Sequence, residues 1–247
     1  NNTNDLIVFS KQGGFYENDF ELTISTTNSN DTIRYTLDGS VPDLNSSVYT
    51  QPIIVTNRTT QPNSISNVDA SIYSNTPPPN VYKGTVIRAA TFQNSTVSSE
   101  VSTHTFFISS DATTRYAGLD VISISIDSLS LFDADSGIYL PGSSFVPDTP
   151  NWTGNYFNQG DDWERKANLE YFSSTGNPIL SQQVGVRIHG GASRRNRQKS
   201  LRLYARNEYG TKYFGYPLFT DRPAERYKRF ILRSGFSDPD RTHINDP

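Results

Sequence analysis

The chain of 247 residues has no cysteine, which excludes a disulfide framework and any thiolate chemistry. Secretion is not excluded by this, because a chain of such length can bury a core without covalent staples. Long apolar runs are missing as well. No stretch approaches the roughly 20 residues a membrane helix needs, so no membrane span is expected. The first residues, Asn1-Asn2-Thr3-Asn4-Asp5, lack both the basic start and the apolar centre of a signal peptide, as a processed secreted chain would. The three histidines, His104, His189 and His243, have no pair at zinc-ligand spacing, and no metal site is assigned. Charged residues make up only 19% of the chain, while 14 Tyr and 14 Phe supply large apolar volume, a composition of packed cores and not of disorder.

What is present is a charge asymmetry. The net charge is −3, yet residues 1–186 hold 8 Lys/Arg against 19 Asp/Glu, and residues 187–247 hold 14 against 6. A positive excess on so short a segment points to an anion: a phosphate, an acidic polymer, or the acidic remainder of the same protein. A nucleic acid is excluded as partner on the same ground, since the acidic residues 1–186 would repel it.

Residues 15–108 read as short strands separated by turn signals, the pattern of a β-sandwich. Phe20, Leu22 and Ile24 alternate with polar residues, as do Ile33, Tyr35 and Leu37 before the Asp38-Gly39 turn signal. Further strands are predicted over 48–55, 84–93 and 100–108. The stretch 56–80 is polar and contains Pro77-Pro78-Pro79, which has no ladder donors and predicts a surface loop or edge. Gly14-Phe15-Tyr16, Leu22-Thr23-Ile24, Ile33 through Pro42, Val48-Tyr49, Pro52-Ile53 and Val86 through Ala90 together resemble the chitobiase/β-hexosaminidase C-terminal type of immunoglobulin-like module, with an insertion at 57–82. That resemblance implies a spacer or accessory domain of a secreted protein.

Residues 109–118 form a polar connector, and periodicity resumes with the strand pattern Val121–Ile126. Asp133-Ala134-Asp135-Ser136-Gly137 has the opening of a calcium loop, but no Glu falls twelve residues from the first Asp, and an ordinary turn is the simpler expectation. Residues 140–160, rich in Pro, Gly and Asn, predict a long surface loop. Strands are predicted at 163–172, 182–189, 199–206 and 227–234, and few helices anywhere. The expected fold class is therefore mainly β, an immunoglobulin-like sandwich over residues 1–108, a linker over 109–118 and a second β-rich domain over 119–247.

The chemistry-bearing segment is 184–206. Val184, Val186 and Ile188 define one strand face with Arg187 and His189 on the other, and Leu201, Leu203 and Ala205 alternate with Arg202, Tyr204 and Arg206. Between them lie Gly190, Gly191, Ala192 and Ser193, then Arg194, Arg195, Arg197 and Lys199. Glycines let backbone amides approach a ligand, consecutive amides can form an anion nest, and guanidinium groups match phosphate oxygens. The same residues also suit a solvated basic hairpin, or one paired with Asp/Glu of the preceding region.

Asn155-Tyr156-Phe157, Trp163-Glu164-Arg165, Gly185 through Gly191 with Ser193-Arg194, Gln198 through Arg202, and Phe230 through Gly235 with Asp238 resemble the CotH (spore-coat) kinase family. The resemblance covers about 119–247 and implies the small lobe of an atypical protein kinase that phosphorylates serines of secreted proteins using ATP and divalent metal. It implies nucleotide or phosphate contacts from Arg187, Gly190, Gly191, Ser193, Arg194 and Lys199, with Lys199 the principal cation. It assigns no catalytic residue, because the aspartates that act as base and metal ligand lie further on in that family, and Asp238 and Asp240 do not stand in their place. The isolated chain is thus expected to be inactive, a fragment of a secreted or cell-surface bacterial protein. The alternative is a non-catalytic adhesion module that grips a glycan or acidic polymer.

Overall fold

A computed structural model describes residues 7–72, 79–116, 118–218 and 224–234. The fold is mainly β, with short strands and only brief helical turns among the described residues. The chain divides into two compact units: Asn1–Gln61, Tyr82–Ser125 and Leu169–Ser181 form one; Pro62–Val81, Ile126–Asn168 and Gln182–Pro247 form the other.

The first unit is an immunoglobulin-like sandwich. Its strands are β1 (Ile7–Phe9), β2 (Gly14–Tyr16), β3 (Phe20–Leu22), β4 (Ile24–Thr26), β5 (Thr32–Thr36), β6 (Ser47–Val48), β7 (Ile53–Val55), β8 (Thr85–Gln93), β9 (Thr96–Val97) and β10 (Ser102–Ile108). The main sheet has the order β2-β10-β8-β5-β6, with β9 on β8, while β1-β4 and β3-β7 form two small antiparallel pairs. The alternation read in the sequence buries one side of each strand: Leu22, Ile24, Ile33, Ile53, Val55, Ile87, Ala89, Phe106 and Ile108 meet in one core. The run predicted over 48–55 breaks into β6 and β7 around Pro52, which lacks the N–H a ladder needs. Asp38-Gly39 does turn the chain, with Gly39 at φ +84° and the Asp38 carboxylate accepting from the Ser40 amide. The turn sits inside the longer connection from β5 to β6 and is not a two-residue hairpin loop.

Residues 109–118, expected as a plain connector, carry the short helix α1 (Ala112–Arg115). There follow β11 (Val121–Ile126), the helical turn α2 (Ser128–Phe132), β12 (Arg165–Phe172), β13 (Pro178–His189), β14 (Ser200–Tyr204) and β15 (Arg229–Leu232), which pair in chain order as a five-stranded sheet. In the second unit β13 and β14 are antiparallel, with Val186 opposite Leu203 and Ile188 opposite Leu201, and β15 continues the meander. Val184, Val186, Ile188, Leu203 and Ala205 are buried as their period predicts.

The segment 140–160 is more than a surface loop. Tyr156 is fully buried with Ile138 and Ile188, and the Asn155 amide donates to the carbonyls of Ala134 and Gly137. A polar side chain that satisfies neighbouring backbone turns can anchor a Pro/Gly-rich segment inside a domain, which composition does not reveal. Asp133 behaves as a turn residue: its Oδ1 accepts from the amides of Asp135 and Ser136 and from the Ser136 hydroxyl. These bonds hold its carboxyl below the usual range.

Candidate functional site: the basic glycine turn

Strand β13 ends at His189 and β14 begins at Ser200, with these two residues opposite each other. The chain between them turns at Gly190, whose φ of +115° is a region that L side chains rarely adopt. A Cβ on Gly190 would also meet Ser193 Oγ at 2.5 Å, so that hydroxyl would have to rotate away. At Gly191 an added Cβ would meet nothing within 4 Å, and this residue is exposed. Ala192–Arg195 then form a single 3-10 turn.

The cations of the motif are turned largely inward. Arg187 ion-pairs through Nε with Glu164 Oε2 at 2.7 Å and through NH2 with Asp161. Glu164 is itself only 4% exposed, and it also binds the Arg206 guanidinium (2.9 Å) and the Tyr209 hydroxyl (2.9 Å). The Arg187 and Arg206 guanidinium groups lie 4.8 and 4.9 Å from the Tyr204 ring centroid. Of the alternatives open in the sequence, Arg187 therefore shows pairing with the preceding acidic region. Arg194 is buried, its Nε donating to the Gly190 carbonyl (2.6 Å) and its NH1 to the Tyr156 carbonyl (3.0 Å). It braces the turn from within.

Lys199 is 4% exposed. Its ammonium donates to the carbonyls of Asn196 (2.6 Å) and Ala70 (2.8 Å) and lies 4.3 Å from the centroid of the Tyr156 ring and 4.9 Å from that of Tyr139. Removal from water pushes its pKa down to about 7. Carbonyl dipoles and ring faces stabilise an ammonium less than a carboxylate does, and no carboxylate pairs with it among the described residues. On the outer face of the sheet the Arg202 guanidinium lies 2.8 Å from His189 Nδ1. Burial, then the charges of Arg202 and Arg194, lower the His189 pKa.

The turn thus gathers Gly190, Gly191, Ser193, Arg194 and Lys199, while Arg187 faces a separate carboxylate cluster one strand away. Sequence reasoning missed Glu164 as the hub of that cluster. The one signal in the sequence was the place of Glu164 in the Trp163-Glu164-Arg165 motif of the resemblance; the structure adds a close approach at Gly185, where a Cβ would collide with the Glu164 carboxylate. It also missed the part of 62–81 that reaches the turn: the Ser71 hydroxyl donates to the Arg195 carbonyl (2.7 Å), and the Arg197 guanidinium donates to the Ser66 carbonyl. As arranged, these residues do not fit an ATP phosphate chain, because the three cations assigned to it already hold internal acceptors, while Gly191 is exposed and Gly190 and Ser193 are half-buried. Among the described residues no group of three or more His, Asp or Glu could hold a metal ion. Gly235, Asp238 and Asp240 lie outside the described residues.

None of the helices of the described residues is long and apolar enough to cross a membrane. No curated protein and no solved structure matches the chain. The Fn3-associated family model matches residues 22–106, identifying the sandwich as an immunoglobulin- or fibronectin-associated module.

Proposed function

We propose that this chain is the front part of a secreted CotH-like protein, in which a chitobiase/β-hexosaminidase-type module precedes the small-lobe sheet of an atypical ATP-dependent serine kinase. The reading is supported by the order of motifs in the sequence and by one structural observation. A buried lysine without a carboxylate partner stands at the head of the strand that follows a strained glycine turn. Strongly perturbed ionisable groups of this kind gather at functional sites more often than elsewhere. By the resemblance, no residue of this sequence takes the part of the catalytic base or of a metal ligand.

A second reading, a non-catalytic module that holds an acidic polymer or glycan, is supported by the excess of 14 Lys/Arg over 6 Asp/Glu in residues 187–247. Titration calorimetry with ATP and Mg²⁺ separates the two. Saturable binding that disappears in Lys199→Met supports the kinase-type reading. Heat from an anionic polysaccharide, with none from ATP even when Lys199 is accessible, sinks it in favour of the second.

A further inference from the structure

The misfit between the motif and its geometry has a specific physical source. Residues Pro62–Val81 lie in sequence between β7 and β8 of the sandwich, yet by their contacts they belong to the unit that carries the basic turn. Within that unit three bonds tie this segment to one face of the turn: Ala70 accepts from Lys199, Ser66 accepts from Arg197, and Ser71 donates to the Arg195 carbonyl. Ala70 and Ser71 are 4% and 5% exposed, so the segment is seated and does not merely brush the surface.

We propose that Ile65–Ser71 is a strap that occupies the anion-facing side of the basic turn, so that a phosphate group reaches Lys199 only when the strap is lifted. Its backbone carbonyls stand where phosphate oxygens would otherwise accept from the same cations. A carbonyl is a weaker acceptor for an ammonium than an anionic oxygen, so the exchange is favourable in charge terms once the strap is displaced. The strap exposes Ile65 at 64%, and the apolar side chains that lifting it would uncover are the half-buried Val68 and the buried Ala70. Lys199 released into water would regain its full charge. The ligand class follows from the turn: a phosphate or diphosphate, not a neutral sugar. This inference rests on the kinase-type reading for its ligand, but the shielding of Lys199 can be tested alone.

The experiment is pulsed acetylation of the full chain, followed by mass spectrometry, with exposed Lys166 and Lys212 as internal references. In the native chain Lys199 should label at least about tenfold more slowly than either reference. Replacing residues 63–80 by a short Gly-Ser linker should bring Lys199 to the rate of the references. It should also create saturable binding of inorganic pyrophosphate that Lys199→Met abolishes. If the deletion does not fold, Ser71→Ala combined with Arg197→Gln removes two of the three ties and should raise Lys199 labelling severalfold while Lys166 is unchanged. Equal labelling of Lys199 before and after loosening overturns the strap. Faster labelling without pyrophosphate binding leaves the strap standing and overturns the phosphate reading of the turn.

Discussion

Replacing Glu170 by Gln should leave stability little changed near pH 4.5 and raise it progressively relative to the unaltered chain as pH climbs to about 7. Glu170 sits in β12 with its side chain 4% exposed, its Oε2 accepting from the Thr105 hydroxyl at 2.6 Å. His104 Nδ1 lies 3.9 Å from Oε1, which looks like an ion pair. The Gly13 amide, however, donates to that same Nδ1 at 3.1 Å, so the ring proton must reside on Nε2 and the imidazole is neutral. Burial pushes the Glu170 carboxyl from 4.5 up to about 7 and the His104 imidazole from 6.5 down to about 4. Each displacement is worth about 3 kcal/mol at about 1.4 kcal/mol per pH unit. The signs are opposite. The raised Glu170 pKa contributes stability that is complete below 4.5 and is lost as pH rises through about 7. The depressed His104 pKa contributes stability that is complete above 6.5 and is lost as pH falls through about 4. Between 4.5 and 6.5 the two slopes cancel, so the unaltered chain hides both. Urea unfolding of the two proteins from pH 4.5 to 8 should show Glu170→Gln gaining about 3 kcal/mol relative to the unaltered chain across that range. Parallel curves would refute the neutral pair. A Gln variant losing most between pH 5 and 6 would instead demand an ionised Glu170 held by imidazolium.

Three further substitutions test the second unit. Gly185→Ala drives a Cβ into the Glu164 carboxylate and the Tyr209 ring, groups already fixed by two arginines, and should cost about 2 kcal/mol in urea unfolding. Gly191→Ala is the internal control, expected within about 0.5 kcal/mol of the unaltered chain because nothing lies near its Cβ. Leu203→Ala empties a fully buried site on β14 and should cost about 3 kcal/mol, with little change in the denaturant slope if the sheet stays intact.

Strands of both units were legible because they bury one face at a time. Phe20, Leu22 and Ile24, or Val184, Val186 and Ile188, announce themselves by period alone, and the structure buries Leu22, Ile24 and all three of the latter. Strand β8 was legible for a different reason, as a nearly continuous small-residue and β-branched run, and it lies between β10 and β5 with most of its residues buried. The insertion was legible as an interruption but not as a partner. Its residues at 66, 70 and 71 act through backbone carbonyls and one hydroxyl, groups that any polar loop possesses, so no side-chain pattern marked the destination. The same limit hid Asn155, whose amide organises the 133–144 segment from a stretch that composition assigns to solvent.

The density of positive charge in the last quarter of the sequence was a sound signal whose meaning depended on distances that a sequence does not contain. Lys/Arg residues can face an external anion, a neighbouring carboxylate or a cluster of carbonyl oxygens, and all three look alike in a composition count. Here Arg187 and Arg206 share a nearly buried carboxylate, an arrangement that stabilises itself and has no need of a ligand. Arg194 ties the ends of its own turn together. Lys199 differs from these in kind. Its charge is held by carbonyl dipoles and ring faces, burial lowers its pKa, and the fold bears an electrostatic cost at this position that Met or Leu would avoid. A core position that a hydrocarbon would fill more cheaply, next to a glycine turn held at a positive φ at Gly190, is the observation on which the proposed strap rests, and Lys199→Met is the substitution that should stabilise the fold if the cost is real.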